Sequence, residues 1–135
     1  MNWYLKVLKQ YTRFNGRARR KEFWYFALIN FLISLFLNIL PALFASFAQQ
    51  SNGISDGMAS VVVTMGLLGR IYSLGVLLPS FAVTIRRLHD VGKSGWWCLI
   101  SIIPIIGILI LLYFLVQDSE PGANRFGRNP KESID

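Results

Sequence analysis

The side chains that could move protons are confined to one short stretch, where His89 and Asp90 are adjacent. An active site needs more than this pair, such as a nucleophile, a second metal ligand or a group that stabilises an oxyanion. None accompanies the pair, and a metal site would need more ligands than the chain offers. We therefore predict no catalytic residue, no metal, no cofactor and no enzymatic activity. A membrane enzyme that uses His89 and Asp90 is the alternative. We expect Asp90 to cap a turn before Gly92.

Basic residues beside aromatic residues predict a different chemistry, which is the binding of anionic groups. Two stretches have this character, and we call them the basic-aromatic collars. The first contains Arg17, Arg19, Arg20, Lys21, Trp24 and Tyr25, and the second contains Arg86, Arg87, Lys93, Trp96 and Trp97. His89 and Asp90, within the stretch of the second collar, are also candidates for binding a lipid or a partner. Near the C-terminus, Asn124 and Arg125 lie in a predicted compact turn that could hold Arg125 against a carboxylate or a lipid phosphate. The expected partners are anionic phospholipids, another membrane protein or a second copy of this chain.

A third set of polar residues lies inside long apolar runs. Asn30, Ser34 and Asn38 recur every four residues, so they form one stripe on a helix. A face of small and hydroxyl residues on the next apolar run contains Gly66, Gly69, Ser73, Ser80 and Thr84, with Arg70 at its edge. We predict that the two faces pack together, with Asn38 near Ser73. The alternative is a polar pathway for a solute, in a small transporter or channel subunit.

The composition of the chain indicates a membrane protein. Of its 135 residues, 53% are hydrophobic and 16% are charged, whereas soluble domains carry about 25% charged residues. The charges are clustered between long uncharged runs, as a bilayer requires. The net charge of +7 comes mostly from residues that flank those runs, so we expect phospholipid contact and no nucleic-acid binding. The length predicts a single domain.

Three apolar runs predict an all-α membrane protein with three transmembrane helices. The runs cover residues 23–45, 58–85 and 96–116. About 20 helical residues are enough to cross the hydrocarbon core of a bilayer. Pro41 is expected to kink the first helix or to end it, and Pro104 with Gly107 is expected to bend the third.

The polar residues within and beside these runs predict where the remaining segments lie. Arg70 interrupts the second run, and we expect its side chain to reach the outer interface. Two shorter membrane segments within residues 58–85 remain the alternative. Residues 2–14 predict an amphipathic helix in the headgroup plane, within a basic cytoplasmic segment over residues 1–22. Residues 117–135 predict a polar tail rich in turns.

The distribution of Lys and Arg predicts the orientation, because cytoplasmic loops carry the excess of these residues. Residues 1–22 hold seven of them, residues 49–57 hold none and residues 86–95 hold three. Three helices with a cytoplasmic N-terminus then leave the tail outside. The tail fits this side poorly, because it also holds three cations. A fourth helix would bring the tail inside but would move residues 86–95 outside.

Three motifs, each beside the end of an apolar run, resemble those of a known family. They are FNGRARRKEFW at residues 14–24, RRLHDVGKSGWW at residues 86–97 and PGANRFGRNP at residues 121–130. In this order, and over residues 3–130, they resemble the small bacterial inner-membrane proteins grouped as domain of unknown function 805. The resemblance implies an integral protein of the bacterial inner membrane, and it brings no assigned activity. Arg70 departs from the second helix of that family.

Overall fold

The computed structural model describes residues 3–51, 53 and 55–132, and no β-strand forms among them. The helices in chain order are α1 (Trp3–Lys9), α2 (Arg20–Ser34), a π-helical turn (Leu35–Ile39), α3 (Leu40–Ser51), α4 (Asp56–Asp90), a 3-10 helix (Gly95–Ile102) and α5 (Ile106–Val116). Four segments of the sequence-based prediction lie partly outside the described residues. The residues outside the description are Asn2 of the amphipathic segment, Met1 and Asn2 of the cytoplasmic segment, Asn52 and Ile54 of the first loop, and residues 133–135 of the tail.

The chain divides into two compact units. Unit 1 comprises Met1–Ala27 and Leu78–Asp135, and unit 2 comprises Leu28–Leu77. Two helical stretches, Arg20–Gln50 and Asp56–Asp90, are long and apolar enough to cross a membrane. Both extend beyond the predicted bounds, because flanking polar residues continue the helix.

The C-terminal end of α4 shows why the predicted loop starts late. The N–H of Gly92 donates to the His89 carbonyl at 3.1 Å, and the N–H of Lys93 donates to the Leu88 carbonyl at 2.9 Å. These two bonds form a Schellman motif, which needs a left-handed residue after the helix. Gly92 supplies it with φ of +72°, and a Cβ at this position would lie 2.6 Å from Glu120 Oε2. The predicted loop over residues 86–95 is therefore wrong at its start, since residues 86–90 form the last helical turn.

The π-helical turn lies just before Pro41, where the sequence predicted a kink. Leu40 donates its N–H to the Leu35 carbonyl, five residues back. Pro41 has no N–H and cannot accommodate a regular preceding turn. A wider turn relieves that conflict and keeps the helix running into α3.

The third apolar run folds back on itself. Ile106 donates its N–H to the Pro104 carbonyl at 2.8 Å, and Ile105 between them has φ of +65° and ψ of −70°, which is a γ-turn. The two arms then pack side by side. Cys98 and Phe114 share one hydrophobic cluster, and a Cβ on Gly107 would collide with a backbone carbonyl of the opposite arm. The predicted single helix over residues 96–116 is therefore wrong, and we call this element the apolar hairpin.

The core of unit 1 joins the N-terminal segment to the ends of the longer helices. Its buried residues are Val7, Ala18, Phe23, Phe26, Val83 and Leu115. α1 is shorter than the predicted amphipathic segment, and it buries Val7 completely. Tyr4 stacks on Phe26 with ring centroids 5.4 Å apart. The apolar face of α1 thus packs on protein.

Candidate functional site

A buried ion cluster lies in unit 1, at the C-terminal end of α4. Asp90 Oδ1 accepts a hydrogen bond from Arg17 Nε at 2.9 Å. Asp90 Oδ2 accepts from Arg87 Nη1 at 2.5 Å and from Ser119 Oγ at 2.5 Å. The side chains of Arg17, Arg87 and Asp90 are at most 1% exposed. One carboxylate therefore joins the N-terminal segment, α4 and the tail.

The same guanidinium groups also hold backbone carbonyls of the tail. Arg17 donates to the carbonyls of Glu120 at 2.6 Å and Gly122 at 2.8 Å. Arg87 donates to the carbonyls of Leu115, at 3.2 Å, and Gln117. The tail also donates a hydrogen bond to α4, from the N–H of Glu120 to the Asp90 carbonyl at 2.9 Å. These bonds occupy donors that would otherwise be buried without partners.

This arrangement changes the role of two arginines of the basic-aromatic collars. Arg17 and Arg87 were expected at the surface, and their side chains are buried and occupied by intramolecular partners. Two buried cations beside one buried anion are tolerable only when the remaining donors are satisfied. Asp90 was expected to cap a turn, and its carboxylate instead binds two arginines.

A second buried ion pair lies where α1 meets α2 and α4. Glu22 Oε1 accepts from Arg86 Nη1 at 3.0 Å, and its Oε2 lies 3.3 Å from Lys6 Nζ. Gln10 Oε1 accepts from the same nitrogen of Arg86. Within the described part of the chain, Arg86 Nε and Nη2 have no hydrogen-bond partner. The side chain of Arg86 is buried as well.

His89 is held by the N-terminal segment and the tail. Its Nδ1 lies 3.2 Å from the Gly16 carbonyl, which can only accept, so Nδ1 carries the proton in this contact. Its ring stacks on Phe126 with centroids 3.8 Å apart and planes at 5°. Asn124 Nδ2 donates to the His89 carbonyl at 3.0 Å. The described residues contain no cluster of three His, Cys, Asp or Glu side chains that could hold a metal ion.

The remaining predicted residues of the collars and the tail lie nearer the surface. Trp24 is 39% exposed and Trp96 is 79% exposed. Trp97 packs edge-on against Phe114, with centroids 5.1 Å apart. The guanidinium of Arg125 lies 4.7 Å from the Phe126 ring centroid. Exposed aromatic rings of this kind suit a membrane interface.

An open cleft of about 560 Å³ lies in unit 1. We call it the basic cleft, and its lining residues are Trp3, Arg19, Arg20, Lys21, Asp118 and Lys131. Four of the six are cations and one is an anion. The hydrogen bond from Lys131 is the largest of the effects that hold the pKa of Asp118 below its usual value, so this carboxyl is charged at neutral pH.

The cations of the basic cleft differ in how far they are already engaged. Arg19 donates from Nε to the Pro130 carbonyl at 2.5 Å, and its guanidinium lies 5.9 Å from the Trp3 ring. Arg20 lies 3.9 Å from Asp118 and is 42% exposed. Lys21 is exposed. The cleft is therefore electropositive and open to solvent.

In unit 2 the predicted polar faces are in contact at one pair of their residues, Asn38 and Gly69, while Ser80 and Thr84 belong to unit 1. Asn30 Oδ1 accepts a hydrogen bond from the Tyr72 hydroxyl. The Asn38 side chain lies against Gly69, where an added Cβ would come within 2.6 Å of Asn38 Cγ. Asn38 thus packs one turn from Ser73, its predicted neighbour. Ser73 donates to its own helix, at the Gly69 carbonyl.

Sequence reasoning missed several residues of these sites. The missing partners are Gln10, Glu22, Tyr72, Asp118, Ser119 and Lys131. The sequence does indicate an ion pair at Glu22, because this acidic residue lies at the border of an apolar run and beside four cations. The others lie far along the chain from their partners, and local pattern cannot pair them.

Comparisons with known proteins agree on one family. The family model described as "Protein of unknown function (DUF805)" matches residues 11–128. Inner membrane protein YhaH of Escherichia coli (strain K12) is 45% identical over 131 residues, which cover 97% of this chain and 98% of that protein. Inner membrane protein YhaI of the same strain is 39% identical over 131 residues, which cover 97% of each chain. No solved structure gives a significant match.

Proposed function

This chain belongs to the DUF805 family, and from that premise we propose that it is a non-enzymatic inner-membrane protein that binds anionic phospholipid headgroups at the cytoplasmic face. In this proposal Arg20–Gln50 and Asp56–Asp90 cross the bilayer. The apolar hairpin enters the membrane from the cytoplasmic side and returns to it. The basic cleft receives the headgroups.

The exposure of the two long helices supports the crossings. In the most apolar 18-residue window of each, only 6% of the residues are buried inside the protein. A soluble protein would bury such helices in its core. Lipid chains can cover these apolar surfaces, and the helices satisfy their own backbone hydrogen bonds.

The dimensions of the apolar hairpin support half-depth insertion. Its 3-10 arm has 8 residues and its α5 arm has 11, so each arm is about 16 Å long against a hydrocarbon core of about 30 Å. The tip is apolar, with Ile102 76% exposed and Ile105 73% exposed. The N–H groups of Ile103, Ile106 and Gly107 donate within the hairpin, which lowers the cost of placing this turn in lipid.

Contacts of the tail support a common side for both termini. Arg17 binds the carbonyls of Glu120 and Gly122, and Arg19 binds that of Pro130. A third crossing would put a bilayer between these partners. With two crossings, the tail cations join those of residues 1–22 and 86–95 on one side, while residues 49–57 carry none. The positive-inside rule then assigns this side to the cytoplasm.

The charge and exposure of the basic cleft support headgroup binding. Four cations face one carboxylate, and Trp3 provides an aromatic anchor at the same place. Each cation near an anionic leaflet contributes about 1 kcal/mol. This cleft is the single observation on which the ligand assignment rests.

Lipid affinity of purified variants tests the proposal. Protein is exchanged into phosphatidylcholine nanodiscs that contain increasing phosphatidylglycerol, and enrichment of phosphatidylglycerol around the protein is measured. Lys21→Gln combined with Lys131→Gln should reduce that enrichment. Lys9→Gln combined with Arg128→Gln, which removes two exposed cations outside the cleft, is the matched control. Equal enrichment in all three proteins would overturn the ligand assignment.

A further inference from the structure

A second cleft, of about 410 Å³, lies in unit 2 and contains an arginine. Arg70 lines it together with Asn38, Pro41 and Gly66. A neighbouring cleft of about 370 Å³ is lined only by apolar side chains and shares Pro41 and Val62 with the first. A cationic group and an apolar groove are thus contiguous.

Arg70 needs an anion that the membrane helices do not provide. Residues 23–55 contain no charged side chain, and Arg70 is the only one in residues 58–85. A charged residue inside a bilayer is costly unless it is paired or reaches polar headgroups. The same helices of a second copy would also lack a carboxylate. Charge complementarity therefore favours an anion from another molecule.

Arg70 lies deeper than the outer headgroups but within reach of them. Arg70 lies 15 residues before Ile85, and Asn38 lies 15 residues after Phe23, so both are about 22 Å along their helices from the cytoplasmic boundary. The hydrocarbon core is about 30 Å thick. An arginine at this level can extend toward the outer headgroups and draw a phosphate inward.

We propose that this cleft holds one phospholipid of the outer leaflet. Arg70 binds its phosphate, Asn38 lines the same site, and an acyl chain fills the apolar cleft next to it. Bidentate pairing of guanidinium with phosphate gives such a site its specificity. The inference rests on the proposed crossing by α4, and it is independent of the basic cleft.

Native mass spectrometry of the detergent-purified chain, titrated with dioleoylphosphatidylglycerol, tests this site. In the Lys21→Gln/Lys131→Gln background, which weakens the basic cleft, Arg70→Gln should weaken the first binding step by about tenfold or more. Arg70→Lys should retain part of the affinity, because the charge remains while the planar fork is lost. Leu74→Gln is the matched control, since Leu74 is 71% exposed on the same helix and lines neither cleft.

Three outcomes would overturn the inference. One is unchanged lipid affinity in Arg70→Gln, and another is an equal loss in Leu74→Gln. The third is a membrane protein that copurifies in stoichiometric amount and is lost in Arg70→Gln while lipid binding stays constant. Lys21→Gln with Lys131→Gln, measured in the same titration, distinguishes failure here from failure of the basic cleft.

Discussion

Arg17 Nε and Asp90 Oδ1 are 2.9 Å apart, although 73 residues separate them in the chain. Both side chains are buried, and the same guanidinium binds the tail at Glu120 and Gly122. This contact fixes three segments to one another: the N-terminal segment, the end of α4 and the tail. The proposed two-crossing topology follows from it.

Asp90→Asn should strongly destabilise the protein. The substitution keeps the shape of the side chain but leaves Arg17 and Arg87 buried without a counter-charge, and breaking a buried pair costs about 3–5 kcal/mol. Asp118→Asn is the matched control, because Asp118 is 64% exposed and its pair with Lys131 is screened by solvent. Unfolding of both variants in mixed detergent micelles measures the difference. Similar unfolding curves would contradict the buried cluster.

Gly69→Leu should disrupt unit 2, because the new side chain would occupy the position of the Asn38 amide. Overpacking of this kind costs about 1–3 kcal/mol. Gly75→Leu should be tolerated, since the space around Gly75 is open. Adding Asn38→Ala to Gly69→Leu should restore part of the lost stability. No restoration in the double variant would show that Asn38 and Gly69 are not in contact.

The apolar hairpin predicts a thiol crosslink between Cys98 and a cysteine introduced as Phe114→Cys. Both positions belong to one hydrophobic cluster, whereas a continuous helix would hold them about 24 Å apart. A short bifunctional thiol reagent followed by peptide mass spectrometry detects the link. Leu112→Cys, at an exposed position of α5, is the control and should link less. Absence of the link in Phe114→Cys would instead support a continuous helix over residues 96–116.

Asp118→Asn should strengthen binding of phosphatidylglycerol at the basic cleft, because it removes the only anion among the lining residues. The pKa of Asp118 is lowered by the hydrogen bond from Lys131. This carboxyl therefore stays charged down to acid pH, and its contribution to lipid binding should be constant between about pH 5 and 8. Nanodisc enrichment measured across that range checks both statements. Loss of the difference between the two proteins on going from pH 8 to pH 5 would contradict the assignment of Asp118.

Local sequence pattern predicts the helices of this protein better than it predicts the contacts between them. Long uncharged runs predicted the two long helices, and the four-residue spacing of Asn30, Ser34 and Asn38 predicted the face that meets Gly69. Pro104 and Gly107 predicted a bend, but a reversal of the chain depends on how the arms pack, and that is not encoded locally. The bonds from Arg17 to Asp90 and Glu120 join residues 73 and 103 positions apart. A helical wheel cannot pair such residues, so sequence pattern alone predicts surface positions for the buried arginines.

The location of the C-terminus tests the central claim most directly. A fluorescent protein that folds only in the cytoplasm and an alkaline phosphatase that is active only outside it are fused in turn to the C-terminus. The same pair, inserted after Gly53 between the two long helices, provides the opposite control. The two-crossing account predicts fluorescence and no phosphatase activity at the C-terminus, with the reverse after Gly53. Phosphatase activity at the C-terminus would contradict it, because a bilayer would then separate Arg17 from Glu120.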